Sequence, residues 1–248
     1  SPVLMARARY HFHQFKDAPQ QAAFALEDYN KGLKTMIEST IDKWDGDYLI
    51  HSIDADFKEY MGVEIVINKT LNTHAEVPYQ FKPEMINIAY KLGYEQVLWV
   101  DSTIQMVKHP QELLDHAKKY GVCVFDNLGH PLKYWCSDVA QQKQGVTNAE
   151  METMQQIMAC VIIFDFTNPK GKEIFERWKQ ASLDGYSFKN EGSNRDGFRG
   201  HRHDQSVLSM ICAKESIPLL PYGYLVYPPH NITKEYGDNF YFINKGII

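Results

Sequence analysis

Two kinds of apolar pattern alternate along the chain. Unbroken runs at 97–100, 122–125 and 159–164, each bounded by polar residues, predict interior strands covered on both faces. Between them apolar positions recur at helical spacing. Leu33, Met36, Ile37 and Ile41 predict a helix over 29–44, followed by a short strand at 48–50. A helix over 82–92 is opened by Pro83 and closed by Gly93, and another over 110–120 is stopped by Gly121. Two more are expected at 170–183 and at 204–214, the latter with Val207, Leu208, Ile211 and Cys212 inward. Alternating strands and helices of these lengths predict βαβ units and an α/β fold, a mostly parallel central sheet flanked by helices.

The connections carry information too. Residues 131–150 are polar and glutamine-rich after Val139, and read as a loop with a short helix over the sheet. Residues 184–203 contain Gly185, Gly192, Gly197 and Gly200; such a segment is too long and glycine-rich for a passive connector and predicts a mobile, functional loop. The tail holds Pro218, Pro221, Pro228 and Pro229 and is expected to wrap the surface rather than build a second core. With no internal repeat and no linker, the expectation is a single domain over 1–248.

Composition narrows the partners. The chain is 44% hydrophobic and 23% charged, which argues for a globular protein and against disorder. Its net charge of −5, from 26 basic and 31 acidic residues, gives no electrostatic reason to expect nucleic acid or an anionic membrane, so a small soluble partner is the expectation. The apolar run at 158–164 falls far short of the roughly 20 residues a membrane helix needs. Cys123, Cys136, Cys160 and Cys212 are scattered without a CxxC pair, and are expected to be free thiols in a reducing, cytoplasmic compartment.

The candidate chemistry lies at strand ends. Ligands of open α/β sheets bind outside the carboxyl ends of the strands, and Asp101, Asp126 and Asp165 each close an apolar run. The expectation is three carboxylates at one sheet edge. Asp101, backed by Ser102 and Thr103, has the strongest context: it could hold Mg²⁺ or Mn²⁺ through oxygen, or merely cap the next turn. Asp54 and Asp56 form a second-ranked acidic pair. The stretch "GHRHDQSVLSM" at 200–210 places Asp204 at a helix start, as an expected N-cap, with Arg195, Arg199, Arg202, His201 and His203 on the approach. Arginines on a flexible loop beside a helix N-terminus suit a diphosphate. A zinc hydrolase is disfavoured, because an HxHxDH pattern would need aspartate where Gln205 stands, and HExxH is absent.

Taken in order, "YQFKPEMINIAYKLGYEQVLWVDSTIQMVKHPQEL", "MACVIIFDFTNPKGKEIFERW" and "HRHDQSVLSM" resemble the GT-A class of nucleotide-sugar-dependent glycosyltransferases, over roughly 79–230. The resemblance implies a single GT-A domain that moves a sugar from a nucleotide-diphosphate sugar, a UDP-sugar by analogy, to a hydroxyl of a glycan or other acceptor. It implies donor contacts from Lys82, Asp101, Ser102, Thr103, Arg199, Arg202 and His203. It assigns Asp204 as acceptor-side base, with Asp138 in reserve, and lets Trp135 and Tyr134 stack on a sugar or pack in the core. Asp101 and His230 would hold Mn²⁺ or Mg²⁺. The chain departs from the class at Thr103, where a full DXD motif has its second aspartate. The metal site then loses one charge, which leaves a water-completed ion, an ion that arrives with the donor, and metal independence all open. The rival readings are a catalytically inactive carbohydrate- or nucleotide-binding relative, and a sugar nucleotidyltransferase, although the GxGxRxxP-type loop of the latter is missing.

Overall fold

A computed structural model of the chain describes residues 2–8, 19–52, 57–67, 72, 74, 76–226 and 239–244. The unbroken apolar runs occupy the interior of a seven-stranded sheet with strand order β3-β4-β2-β1-β5-β8-β7. Its strands are β1 (Pro2–Ala8), β2 (Asp47–Ser52), β3 (Glu59–Tyr60), β4 (Val63–Ile67), β5 (Gln96–Asp101), β7 (Val122–Pro131) and β8 (Gln155–Asp165). Strands β4, β2, β1 and β5 run parallel to one another; β8 runs antiparallel to β5 and to β7, and β3 antiparallel to β4. The protein is therefore α/β with a mostly parallel, mixed sheet.

Alternation along β5 sets up the two layers. Val97 and Trp99 pack on one face, with α2 (Phe81–Lys91), α6 (Pro169–Leu183) and α7 (His203–Lys214). Leu98 and Val100 pack on the other, with α1 (Pro19–Thr40) and α3 (Gln111–Tyr120). The polar stretch at 131–150 holds two short helices, α4 (Asp138–Lys143) and α5 (Asn148–Met151).

Several expectations change. Strand β1 was not expected, yet it is the middle strand of the parallel set, with Val3, Leu4 and Met5 fully buried between β2 and β5. The antiparallel course of β8 moves Asp165 away from Asp101: it pairs in register with Gln96, at the start of β5, while Val161 faces Val100 at the other end. The three strand-end carboxylates do not share one edge. The tail contributes β9 (Leu225–Val226) and β10 (Phe242–Asn244), which join β6 (Ile104–Met106) in a three-stranded sheet, order β6-β10-β9. Leu225 and Phe242 are buried in the same apolar layer as α1 and α3, so the tail completes an existing core.

The glycine-rich segment at 184–203 is anchored near its ends, at Ser187, Phe188 and His201, while residues 189–200 between them are half-buried or exposed. Asp184 accepts hydrogen bonds from the Tyr186 and Ser187 backbone N–H groups at 2.7 Å each, and Phe188 is buried beside Trp178. Gly197 has φ +76°, and a Cβ there would come within 2.9 Å of the Tyr134 ring, so both backbone conformation and close approach call for glycine.

Among the described residues, no helix is long and apolar enough to cross a membrane, and no disulfide joins the cysteines.

Candidate functional site

At the carboxyl end of β5 a cavity of about 710 Å³ opens, within the size range of small-molecule sites. Its charged wall is built by residues far apart in sequence: Lys82, Asp101, Arg202 and Asp204, with His201 and His203 beside them.

Lys82 is the centre. It stands in the first turn of α2 and its side chain is 3% exposed, although a lysine before a helix-opening proline could as well lie on the surface as face a donor. Its ammonium donates to the Ala159 carbonyl at 2.8 Å, lies 3.4 Å from Asp101 Oδ1 and 3.1 Å from Asp204 Oδ2, and sits over the Tyr79 ring at 5.2 Å. The Ala159 carbonyl is available because β8 bulges here: Cys123 pairs with Ile163 but Phe125 with Met158, so the ladder with β7 slips across 159–162. Burial alone would push the ammonium toward neutrality, but Asp101 and Asp204 outweigh it and the net shift is upward.

Asp101 accepts from Trp99 Nε1–H at 2.8 Å, and its side chain is 32% exposed, so it is the most open member of the trio. Asp204 is almost sealed, at 3% side-chain exposure. Its burial raises the carboxyl from 3.8 to about 6, against the opposing pull of Lys82. The expected N-cap role is not seen: the helix begins after Arg202, and the Asp204 carboxylate, in the first turn of α7, turns inward to the lysine. The Asp204 carbonyl accepts from Trp178 Nε1–H at 3.0 Å, which ties the start of α7 to α6.

Both histidines are held neutral. The Ser137 N–H donates to His201 Nδ1 at 3.2 Å, so Nε2 must carry the proton given to the Ser187 carbonyl at 2.8 Å. His203 Nδ1 faces the Phe188 carbonyl at 2.9 Å and must donate, leaving Nε2 with a lone pair. Burial lowers the His201 pKa, and burial with the neighbouring His201 lowers that of His203 to about 4. His203 also adopts φ +47°, a left-handed conformation uncommon for a side chain with a Cβ.

The arginines divide. Arg202 lines the cavity and lies over the Trp135 ring at 4.5 Å. Arg199 stacks outside it, 5.6 Å from the Tyr134 ring. Arg195 is structural, donating to the Lys133 carbonyl at 2.8 Å and to Gln141 Oε1. Asp138 is likewise committed to structure: it accepts from Ser193 Oγ at 2.5 Å and from the Asn194 N–H at 2.8 Å. Those bonds and Arg195 outweigh its partial burial and hold its pKa below the usual value. Asp138 lies outside the cavity wall, as do Ser102 and Thr103, which form the turn from β5 into β6. Asp126 lies outside it as well, with a pKa raised by burial. Asp165 is spent at the far edge. Asp54, Asp56 and His230 lie outside the described residues.

The uncharged part of the lining had no counterpart in the sequence motifs. Asn127, His130, Gln156, Tyr222 and Asn244 contribute to it, and Asn127 donates to Gln156 Oε1 at 3.0 Å. Gln156 is 1% exposed, with its amide nitrogen buried and unpartnered. Asn127 was within reach of sequence reasoning, since it follows the apolar run of β7 at a carboxyl strand end.

A divalent ion needs several free oxygen ligands. Among the described residues no group of three His, Cys, Asp or Glu side chains could hold one. Here one carboxylate is open, the other faces an ammonium, and that ammonium lies 3.4 Å from the first. Among the described residues of this wall, Asp101 is therefore the one open carboxylate left for an ion, and the neighbouring ammonium opposes a second cation there.

No protein-family model matches the chain, and no curated protein matches it significantly.

Proposed function

We propose that the protein is a glycosyltransferase that takes a sugar from a nucleotide-diphosphate sugar, a UDP-sugar above others, and passes it to a hydroxyl of a glycan or other acceptor. One observation carries this reading: Lys82, Asp101 and Asp204, three of the residues to which the resemblance to the GT-A class assigns donor and acceptor roles, converge within 3.4 Å contacts in one cavity at the carboxyl end of a parallel strand.

The chemistry follows from what these groups are. Cleavage of the bond between sugar and diphosphate leaves negative charge on the diphosphate; Arg202, which lines the cavity, is the cation with donors to offer it, while Lys82, held by Asp101, Asp204 and the Ala159 carbonyl, acts by offsetting the charge of the two carboxylates. Asp204, with a pKa of about 6, is matched to take a proton from a hydroxyl near neutrality, and with the reserve candidate Asp138 outside the cavity wall it is the sole base of this scheme. The His203 Nε2 lone pair is a further acceptor for a donor or acceptor hydroxyl. The amides of Asn127 and Gln156 suit an uncharged, hydroxyl-rich group such as a sugar ring.

The test is release of UDP from a panel of UDP-sugars by the wild-type protein and by Asp101→Asn. Release that the substitution abolishes is the expected outcome. Nucleotide binding without release would favour the inactive relative, pyrophosphate release from a nucleoside triphosphate and a sugar phosphate would favour the nucleotidyltransferase, and thermal indifference to every nucleotide would end the proposal.

A further inference from the structure

In this site an ammonium stands where two carboxylates would otherwise invite a metal. Asp101 and Asp204 come from different strands and helices, yet both aim an oxygen at one point, the Lys82 Nζ, at 3.4 and 3.1 Å. The third contact of that cation is a backbone carbonyl, Ala159 O at 2.8 Å, freed by the bulge in β8. Two carboxylates and a carbonyl are hard oxygen donors of the kind a divalent ion uses. Here they surround one buried side-chain cation, with the faces of Tyr79 and Trp99 at 5.2 and 5.9 Å over it. A second cation on the same carboxylates would meet this charge across a few ångströms of low-dielectric interior. Thr103, neutral and outside the cavity wall, adds no charge to support one.

We propose that the Lys82 ammonium is the resident cation of this site, held in the oxygen cage of Asp101, Asp204 and Ala159, and that the protein binds its diphosphate ligand without Mn²⁺ or Mg²⁺. With Lys82 and Arg202 set against Asp101 and Asp204, the charged wall is balanced without a metal. The identity of the ligand rests on the nucleotide-sugar reading; the identity of the cation does not.

The cage is tested first by titrating Mn²⁺ into the protein alone and following the electron paramagnetic resonance signal of the free ion. Wild type is expected to leave the signal undiminished. Lys82→Ala empties the cage and is expected to take up one Mn²⁺, with a rise in melting temperature on Mn²⁺ addition, and Lys82→Ala with Asp204→Asn to lose it. Tight uptake of Mn²⁺ by wild type that Asp101→Asn abolishes overturns the proposal, and this arm needs no Lys82 variant to fold. The second arm is calorimetry with UDP in chelator and in Mn²⁺. Equal affinity in both is expected, with a loss of about thirtyfold or more in Lys82→Ala, the range for truncating one member of a buried charge pair. UDP binding that appears only with Mn²⁺ overturns the proposal. If UDP binds in neither condition, it is the nucleotide-sugar reading that fails, and the Mn²⁺ titration alone decides the cation.

Discussion

Asp101 and Asp165 close two apolar strands in the same way, "LWVD" and "IIFD", and their fates are opposite. Asp165, 1% exposed, accepts from the Thr167 N–H at 2.8 Å, Thr167 Oγ at 2.5 Å, the Asn168 N–H at 3.2 Å and Gln96 Nε2 at 2.8 Å. Its oxygens are consumed in joining the entry to α6 to the start of β5. Asp101 accepts one aligned hydrogen bond, from Trp99, faces an ammonium and leaves a third of its side chain to the cavity. The difference comes from strand direction. The end of β5 lies at the carboxyl edge of the parallel set, where chain connections diverge and leave a crevice. The end of β8, running the other way, arrives at the closed edge, where its carboxylate meets backbone N–H groups at close range. An aspartate after an apolar run is therefore functional or structural according to the donors around it, and the count of satisfied oxygens separates the two.

The largest effect expected from this contrast is on stability. Asp165→Ala removes a buried acceptor from four donors and is expected to cost about 4 kcal/mol, a fall in melting temperature on the order of 10 °C for a chain of this size. The midpoint of thermal or urea unfolding measures it. A loss below about 1 kcal/mol would mean that water replaces the carboxylate freely, and would break the contrast.

That contrast also marks how far sequence could reach. The apolar runs gave away the interior strands, and the helices at 82–92, 110–120, 170–183 and 204–214 were placed within a residue or two, because burial on one or two faces writes a local period into the chain. Strand direction is not local. The run at 159–164 would look the same in a parallel strand, so Asp165 was grouped with Asp101. Strand β1 carries an apolar run, Val3 to Ala6, as long as that of β5, but no helical period precedes it to mark it as part of a strand–helix alternation. Asp101, Asp204, Arg202 and His203 were legible through their motifs. The burial of Lys82 was not, since nothing in "QFKPEM" announces two carboxylates that arrive from residues 101 and 204. The anchors of the arginine-bearing loop were hidden for a related reason: glycine reports backbone freedom, whereas Phe188, Ser187 and His201 fix the two ends of the segment through contacts distant in sequence.

A second prediction concerns pH. Asp204 has its pKa raised by burial from 3.8 to about 6. Between those values the folded chain keeps a proton that the unfolded chain has released, so this group makes stability fall as pH rises from about 4 to 6 and leaves it level above. The rise corresponds to about 3 kcal/mol across that window. Asp204→Asn removes the titration, and the difference between wild-type and variant unfolding free energies, followed from pH 4 to pH 7, isolates it from the other carboxylates. A difference that does not change with pH would show that Lys82 keeps Asp204 ionised throughout, and would place Asp204 beside Asp165 as a structural carboxylate.

The smallest expected change in stability is at Asp101 itself. Asp101→Asn keeps an oxygen for the Trp99 N–H, and the lost charge is a third exposed, where pairing is screened by water. Lys82 still has Asp204 at 3.1 Å and Ala159 O at 2.8 Å, so its cation is not stranded. Asp204 also gains, because Asp101 is one of the charges that oppose its ionisation; in the variant its pKa drops below the wild-type value. These opposing effects leave a net change under about 1 kcal/mol, a few degrees at most in melting temperature. Release of UDP from a UDP-sugar is nevertheless expected to be lost. The pair of measurements, a melting curve and a turnover assay on one variant, is what distinguishes a carboxylate kept open for a ligand from one kept for the fold. An Asp101→Asn protein that unfolds as readily as Asp165→Ala would show that both strand ends serve packing alone.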